Sequence, residues 1–544
     1  MRAPVASRLF LLLPLLTLTA GCEGSPPGAG GALGTPSQRA ALFDSILTWT
    51  ADRAAFSPPK MEALGYDPLQ EMAALRDAVV TAESEEAFYY ALLRLSNARR
   101  DRHLSVYLVP GGLTLDDEAG LPTWEREETP EPLIAAVRIH PDYGNDGAAY
   151  FIADVARGPD PLDQGPQVGD RILSINGMSV PEYEAAAMPF IRHSSLVGFR
   201  WKLAEAIPQN TALFPPEFRG ETLELGLEKA DGSTAEVSLP YFDADGLEWP
   251  GWAEPSYPGF SREWSTPSYD LYLPDDGRAL VLLQWHRFEP SLVADVDRLL
   301  EFAQAEGFLD RAVIFDATRS GGGSLGAYAV QRIQPRPFKT TYGTLQISDV
   351  IEPFVADRQE AFQRRRVFDG DGPETIDDGS WLMDWLQNEV LDDLAEGKEV
   401  TEPVPFKLAH APKGSDGILQ PTPVHFRGPL VVLSGPNGGS HLDQFISIVG
   451  DNELGPIIGM PPGGYSNTWE WEETLTFPGT DQPVVGFMWN IGHSIRPNGE
   501  ILEGNPAAVT HPLPLTADNA GEYYRLLLEE VFRYLTTVGF EVGP

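Results

Sequence analysis

Three short stretches of this sequence carry residue types that could together perform acyl transfer. The first is VVLSGPNGGSHLD, residues 431–443, where Ser440 stands between an apolar run that predicts a buried strand and a segment that predicts a helix. A hydroxyl there lies beside the positive end of the helix dipole, which favours a nucleophile's developing negative charge. The same place is the usual one for a serine that merely caps a helix. The second is DATRSGGGS, residues 316–324, a glycine-rich turn directly after another buried strand, whose bare N–H groups can point into a cleft. The third is ALLRLSNARRDRHLSV, residues 91–106, with His103 at the exit of an amphipathic helix. Imidazole can take a proton near neutral pH. Taken singly, each stretch has a plainer reading as a cap, a turn or a solvated histidine.

Several other chemistries find no support in the sequence. There is no HExxH helix, no pair of histidines at ligand spacing and no cysteine cluster, so no metal site is expected. GGGS at residues 321–324 lacks the Gly-Lys-Ser/Thr of a phosphate-cradling loop, and no GxSxG elbow occurs. No cofactor is expected.

Order and spacing add what the single stretches lack. RDRHLSV is followed by GPQVGDRILSINGMSVPEYEAA, then ALVLLQWHRF, DATRSGGG, SHLD and finally NGEILEGNPAAVTHPLPL. This series, over about residues 38–540, resembles the C-terminal-processing, or tail-specific, serine peptidases and their tricorn core protease branch. The second segment resembles a PDZ domain, a module that adds an extended peptide to a sheet edge.

The resemblance implies Ser440 as nucleophile with Asp443 as the acid three residues on. It implies an oxyanion hole from the backbone N–H groups of Gly322, Gly323 and His441, and peptide or protein tails as substrates. Where the tail-specific branch carries a lysine base, the segment 459–468 has Tyr465 and no lysine, which disfavours a Ser/Lys dyad. The tricorn-like branch implies His103 as base with Glu503 assisting. His441 is a second candidate base, ranked below His103 because neighbouring side chains on a strand-to-helix turn diverge. His140, His193, His286, His410, His425, His493 and His511 are read as solvated or structural. Asp101-Arg102 replaces the residues that usually precede the histidine, and Thr318 and Ser320 stand where an arginine and an asparagine are usual. Arg102 would disfavour an imidazolium beside it, and Asp101 would offset this. These departures keep open a second class, a non-catalytic relative that holds a peptide or lipophilic ligand.

The elements that must position these residues follow from periodicity. Residues 38–110 show apolar spacing of three and four, predicting an N-terminal helical domain, with Ser84 starting its last helix. Residues 132–241 switch to a period of two, with Ile172, Leu173 and Ile175 in a buried strand before an Asn176-Gly177 hairpin turn, the β-rich PDZ-like domain. Residues 242–271, rich in Trp, Pro and Gly, read as an aromatic linker. Strands and helices alternate over 272–540, predicting an α/β layered core, of crotonase/ClpP-like type by the resemblance, with an insert at about 349–420 that could be a lid. The fold class is therefore multidomain α/β.

Composition bounds the partners. A formal charge of -40 repels polyanions, so nucleic acid is not expected to bind. Residues 1–22 read as a bacterial export signal ending in LTAGC, and Cys22 is the single cysteine. Lipidation of Cys22 would anchor the chain to a membrane surface as a periplasmic or outer-surface lipoprotein, with residues 23–37 as a flexible linker. Simple secretion is the alternative.

Overall fold

The computed structural model describes residues 33–122, 130–145, 147–157, 165–251, 254–288, 291–365, 380–405, 416–467 and 469–543. The export signal, Cys22, most of the linker, His410 and part of the 349–420 insert lie outside the described residues. Among the described residues no helix is long and apolar enough to cross a membrane.

The centre is a seven-stranded sheet in the order Phe260–Ser265, Tyr269–Pro274, Leu280–Trp285, Ala312–Asp316, Leu430–Ser434, Ile457–Gly459, His511–Pro512. The first three strands pair antiparallel and the rest parallel. Unbroken apolar runs such as AVIFD are what a strand covered on both faces requires. Val281, Leu283, Val313, Phe315 and Val432 point to one face, under the helices Leu292–Ala305, Gly326–Ile333 and His441–Asp451. Leu280, Leu282, Ala312, Ile314, Val431 and Leu433 point to the other, where Leu527, Val531 and Leu535 of Tyr523–Thr537 cover them. The alternation of strand and helix predicted over 272–540 is thus present.

The expected aromatic linker is only partly one. Phe260–Ser265 is the sheet's edge strand and Tyr269–Pro274 its neighbour, so the sheet begins inside the stretch read as 242–271. Its Trp264 packs edge-on against Phe302 at 4.6 Å, closing a seam. Dense Trp, Pro and Gly hide the two-residue period that would have revealed the strand.

The segment 133–242 forms a second sheet around Val137–Pro141, Tyr150–Val155, Arg171–Ile175, Thr222–Glu228 and Thr234–Phe242. Asn176 (φ 47°) and Gly177 (φ 78°) turn the predicted hairpin, with Ile175 opposite Met178. Leu173, expected to be buried, is 46% exposed, because it alternates with Ile172 across the sheet.

The N-terminal helices do not build a core alone. Leu42, Phe88 and Leu92 share one apolar cluster with Val485, Phe487 and Trp489 of a C-terminal hairpin, Glu470–Thr476 with Pro483–Asn490. Val106 pairs with Phe487 along that hairpin's edge. Ser84 caps Glu85–Asn97 by accepting from Ala87 N–H, as expected. The helix ends at Asn97, earlier than the pattern to His103 implied, and Arg100 (φ 48°) turns the chain so that residues 98–105 form a loop. From the insert, Phe354 packs edge-on against Trp469 at 5.4 Å, and Trp385 and Leu386 are buried in the same cluster.

Candidate active site

The four parallel strands Leu280–Trp285, Ala312–Asp316, Leu430–Ser434 and Ile457–Gly459 end at one edge of the central sheet. The loops that leave them carry DATRSGGGS, Ser440 and residues 460–467. Ligand chemistry in sheets of this kind collects at such an edge.

Ser440 occupies the N-cap position of His441–Asp451 with φ 59° and ψ -126°, and its side chain makes no capping hydrogen bond. A residue with a side chain holds such a conformation at a cost of about 1–3 kcal/mol, a strain that collects at functional sites. The hydroxyl is therefore not spent on the cap. Its backbone N–H donates to the Tyr465 carbonyl at 2.5 Å, which ties the turn to the loop after Ile457–Gly459. Gly439 is obligatory here, because a Cβ would lie 1.8 Å from the Tyr465 ring.

The glycine turn presses directly on Ser440. A Cβ on Gly322 would stand 2.7 Å from Ser440 Cβ and 3.1 Å from its Oγ. The turn is held by Gly321 N–H donating to His286 O at 2.7 Å, Phe288 N–H to Gly322 O at 3.0 Å and Ser324 N–H to Phe288 O at 2.9 Å. Among the described residues, the N–H groups of Gly322, Gly323 and His441 meet no acceptor.

Residues 465–467 connect every other candidate. Tyr465 N–H donates to Asp443 Oδ2 at 2.9 Å and Ser466 N–H to Glu503 Oε2 at 2.8 Å. Asn467 Nδ2 donates to Asp101 Oδ2, and Asn467 N–H points at His103 Nδ1 from 3.5 Å. At that length the contact does not fix the imidazole tautomer. The His103 ring meets the Tyr465 ring edge-on at 5.1 Å, while the Tyr465 carbonyl holds Ser440. Side-chain donor or acceptor atoms of Asp101, His103 and Glu503 all lie within 4.8 Å of one another. Asp101 Oδ1 also accepts from His103 N–H at 2.9 Å, fixing the loop.

Sequence reasoning missed Lys60. Its Nζ lies 2.9 Å from Glu503 Oε1, with the two side chains 5% and 0% exposed, and it also donates to Arg100 O at 2.9 Å. Burial raises the Glu503 carboxyl above the usual range, with Lys60 pulling the other way. Burial opposes the Lys60 charge, but Glu503, Tyr66 and Asp101 together outweigh it and hold the ammonium. Three ligand atoms from Asp101, His103 and Glu503 could in principle hold a cation, yet Lys60 already supplies a fixed positive charge there. No signal near Lys60 in sequence could have found it, since its partner lies over four hundred residues away.

The departures from the expected pattern have local tasks. The Thr318 hydroxyl and N–H both donate to Asp316 Oδ1, at 2.6 and 2.8 Å, and Asn437 Nδ2 donates to Arg319 O at 3.2 Å, tying the glycine turn to the serine turn. The Ser320 hydroxyl donates to the Gly321 carbonyl at 3.2 Å. Arg102 does not stand free beside His103: its guanidinium lies 4.2 Å from the Tyr465 ring centre and donates to Asn437 O at 3.4 Å. His441 points away from Ser440. Its Nε2 accepts from Gly326 N–H at 2.6 Å, and burial pushes its pKa down to about 4. Asp443 is fully buried and its carboxyl is pushed well up by desolvation, against the pull of the Tyr465 and Gly464 N–H groups.

Solved structures share this architecture. Mature CPAF complexed with lactacystin superimposes with a TM-score of 0.67 at 17% identity, over 92% of this chain and 98% of that one. Mature CPAF gives 0.66 at 18%, over 91% and 96%. A serine-to-alanine mutant of CPAF gives 0.66 at 15%, over 94% and 99%. This chain has the fold of CPAF. No protein-family model matches the sequence, and a search of curated proteins finds no match.

Proposed function

We propose that the chain is a serine peptidase of the C-terminal-processing type, cleaving peptides or protein tails through an acyl-enzyme on Ser440. The observation that carries the reading is the pairing of a strained, uncapped Ser440 with unpartnered N–H groups of Gly322, Gly323 and His441. His103 takes the Ser440 proton as the oxygen bonds to the scissile carbonyl carbon. The carbonyl oxygen becomes an oxyanion facing the unpartnered N–H groups, commonly the largest single catalytic contribution. His103 then passes the proton to the leaving amine as the C–N bond breaks, and a water activated the same way hydrolyses the ester. Glu503 assists by polarising the surroundings of the imidazole, with Lys60 holding the carboxylate in place.

Substrate recognition is assigned to the segment 132–241 acting as a PDZ-like module. Between Val137–Pro141 and Leu196–Ala206 runs a cavity of about 350 Å³ lined by Arg138, His140, Trp201, Trp249 and Arg319, suited to an extended tail. We also propose export and lipidation on Cys22, testable by palmitate labelling that Cys22→Ala abolishes.

A fluorophosphonate probe tests the nucleophile. Labelling that Ser440→Ala abolishes, and that lactacystin competes away, is expected. A folded but unlabelled protein would favour a ligand-binding role instead.

A further inference from the structure

A cavity of about 200 Å³ lies where the N-terminal helices meet the helix Val180–Ala187 and the turn after it. Its polar lining is Glu71, Arg94, Asn97, Arg100 and His193. Arg94 and Asn97 stand three apart on Glu85–Asn97, so they share one face of that helix. Three polar atoms of this lining are buried and meet no hydrogen-bond partner among the described residues: His193 Nε2, Asn97 Oδ1 and Arg94 Nε. His193 is 2% exposed and Asn97 4%. The other end of each side chain is already held. His193 Nδ1 lies 2.8 Å from the Ile191 carbonyl, which can only accept, so Nδ1 carries the hydrogen and Nε2 is a bare acceptor. Burial pushes the His193 pKa down to about 4, which keeps the ring neutral. Asn97 Nδ2 donates to Pro189 O at 3.0 Å, which leaves Oδ1 as a second acceptor. A buried acceptor without a donor is costly, so these two atoms call for N–H or O–H groups.

The charges narrow the ligand further. Arg100 is paired with Glu71 Oε1 at 2.6 Å, whereas Arg94 has no acidic partner among the described residues. Two guanidiniums against one carboxylate leave the cavity with one net positive charge. A metal ion or simple cation would be repelled, and a simple anion would leave Asn97 Oδ1 and His193 Nε2 without donors. A zwitterion answers both. An ammonium group has three hydrogens for Asn97 Oδ1, His193 Nε2 and the Glu71 carboxylate, and a carboxylate answers Arg94. The remaining wall, which includes Leu75, Met188 and Pro189, is apolar. A cavity of about 150 Å³ can hold benzene, so this one has room for a molecule of leucine's size. We propose that this cavity binds a free α-amino acid with an apolar side chain, its ammonium on Asn97, His193 and Glu71 and its carboxylate on Arg94. The site goes beyond the peptidase reading and does not depend on it.

Calorimetric titration of L-leucine into the full chain tests the site without any turnover. Saturable binding of one leucine per chain is expected. N-acetylleucine, which lacks the ammonium, and leucinamide, which lacks the carboxylate, should each bind about tenfold more weakly or worse, because each loses a charged hydrogen bond. Arg94 is only partly buried, so Arg94→Gln should keep the fold. In that variant the ratio of leucine to leucinamide affinity should fall towards one. Because the figure is a ratio within one protein, a partly folded variant does not distort it. Asn97→Leu should lower leucine affinity about tenfold while leaving N-acetylleucine unchanged. No saturable heat with leucine would assign the polar atoms to water and overturn the site. N-acetylleucine binding as tightly as leucine, or a leucine preference over leucinamide that survives Arg94→Gln, would overturn it equally. Fluorophosphonate labelling of Ser440 reports on the peptidase reading alone, so the two can fail separately.

Discussion

The buried pair Lys60–Glu503 gives the sharpest test of the electrostatics. The two groups lie 2.9 Å apart with side-chain exposures of 5% and 0%, so water cannot replace either partner. Lys60→Met would leave Glu503 as a lone buried carboxylate, and breaking such a pair costs about 3–5 kcal/mol. That is a large share of the roughly 5–15 kcal/mol by which most domains are stable. The variant has one escape, which is to protonate Glu503. Burial already raises that carboxyl, and loss of Lys60 removes the main group opposing the rise. A carboxyl whose folded pKa exceeds its unfolded value of about 4.3 contributes stability that is complete below the unfolded pKa and is lost as pH rises through the folded one. The penalty of Lys60→Met should therefore be small near pH 5 and full near pH 8. Thermal unfolding by calorimetry of wild type, Lys60→Met, Glu503→Gln and the double variant, across that range, measures it. The double variant should recover much of the loss at pH 8, because the amide oxygen can still accept from Ser466 N–H. A penalty below about 1 kcal/mol, or one that does not change with pH, would refute the reasoning.

Gly322→Ala would drive a methyl to within 2.7 Å of Ser440 Cβ and 3.0 Å of the Gly439 carbonyl, so the serine turn must shift: fluorophosphonate labelling should slow by about 10²–10³-fold, and calorimetry should show a loss of about 1–3 kcal/mol. Ser440→Gly should abolish labelling yet raise stability by about 1 kcal/mol, read by calorimetry, because glycine adopts φ 59° without the strain. His103→Ala should lower peptide hydrolysis by about 10²–10⁴-fold without loss of fold by circular dichroism. His441, with its pKa pushed down to about 4, should stay neutral by NMR titration down to about pH 5; its stabilising contribution is present above the unfolded value near 6.5 and lost as pH falls towards 4.

What the sequence determined by itself was local or serial. Runs such as AVIFD and VVLS mark strands covered on both faces, Ser84 marks a helix start, and Asn176-Gly177 marks a hairpin, because each depends on a few adjacent residues. The order of RDRHLSV, DATRSGGG, SHLD and NGEILEG carries the resemblance to the tail-specific peptidases, and that resemblance implies Ser440, His103, Gly322 and Glu503 as one candidate site. Aromatic and proline density mask the period of the edge strand Phe260–Ser265, and Leu173 faces solvent because apolar character does not fix the face of a strand. Only the tertiary structure decided the surroundings of the candidate base. Lys60 against Glu503, Asn467 against Asp101 and His103, and Arg102 laid on Tyr465 join residues hundreds of positions apart. Such pairings leave no periodic trace in the chain, because chain topology rather than neighbouring residues brings their partners together.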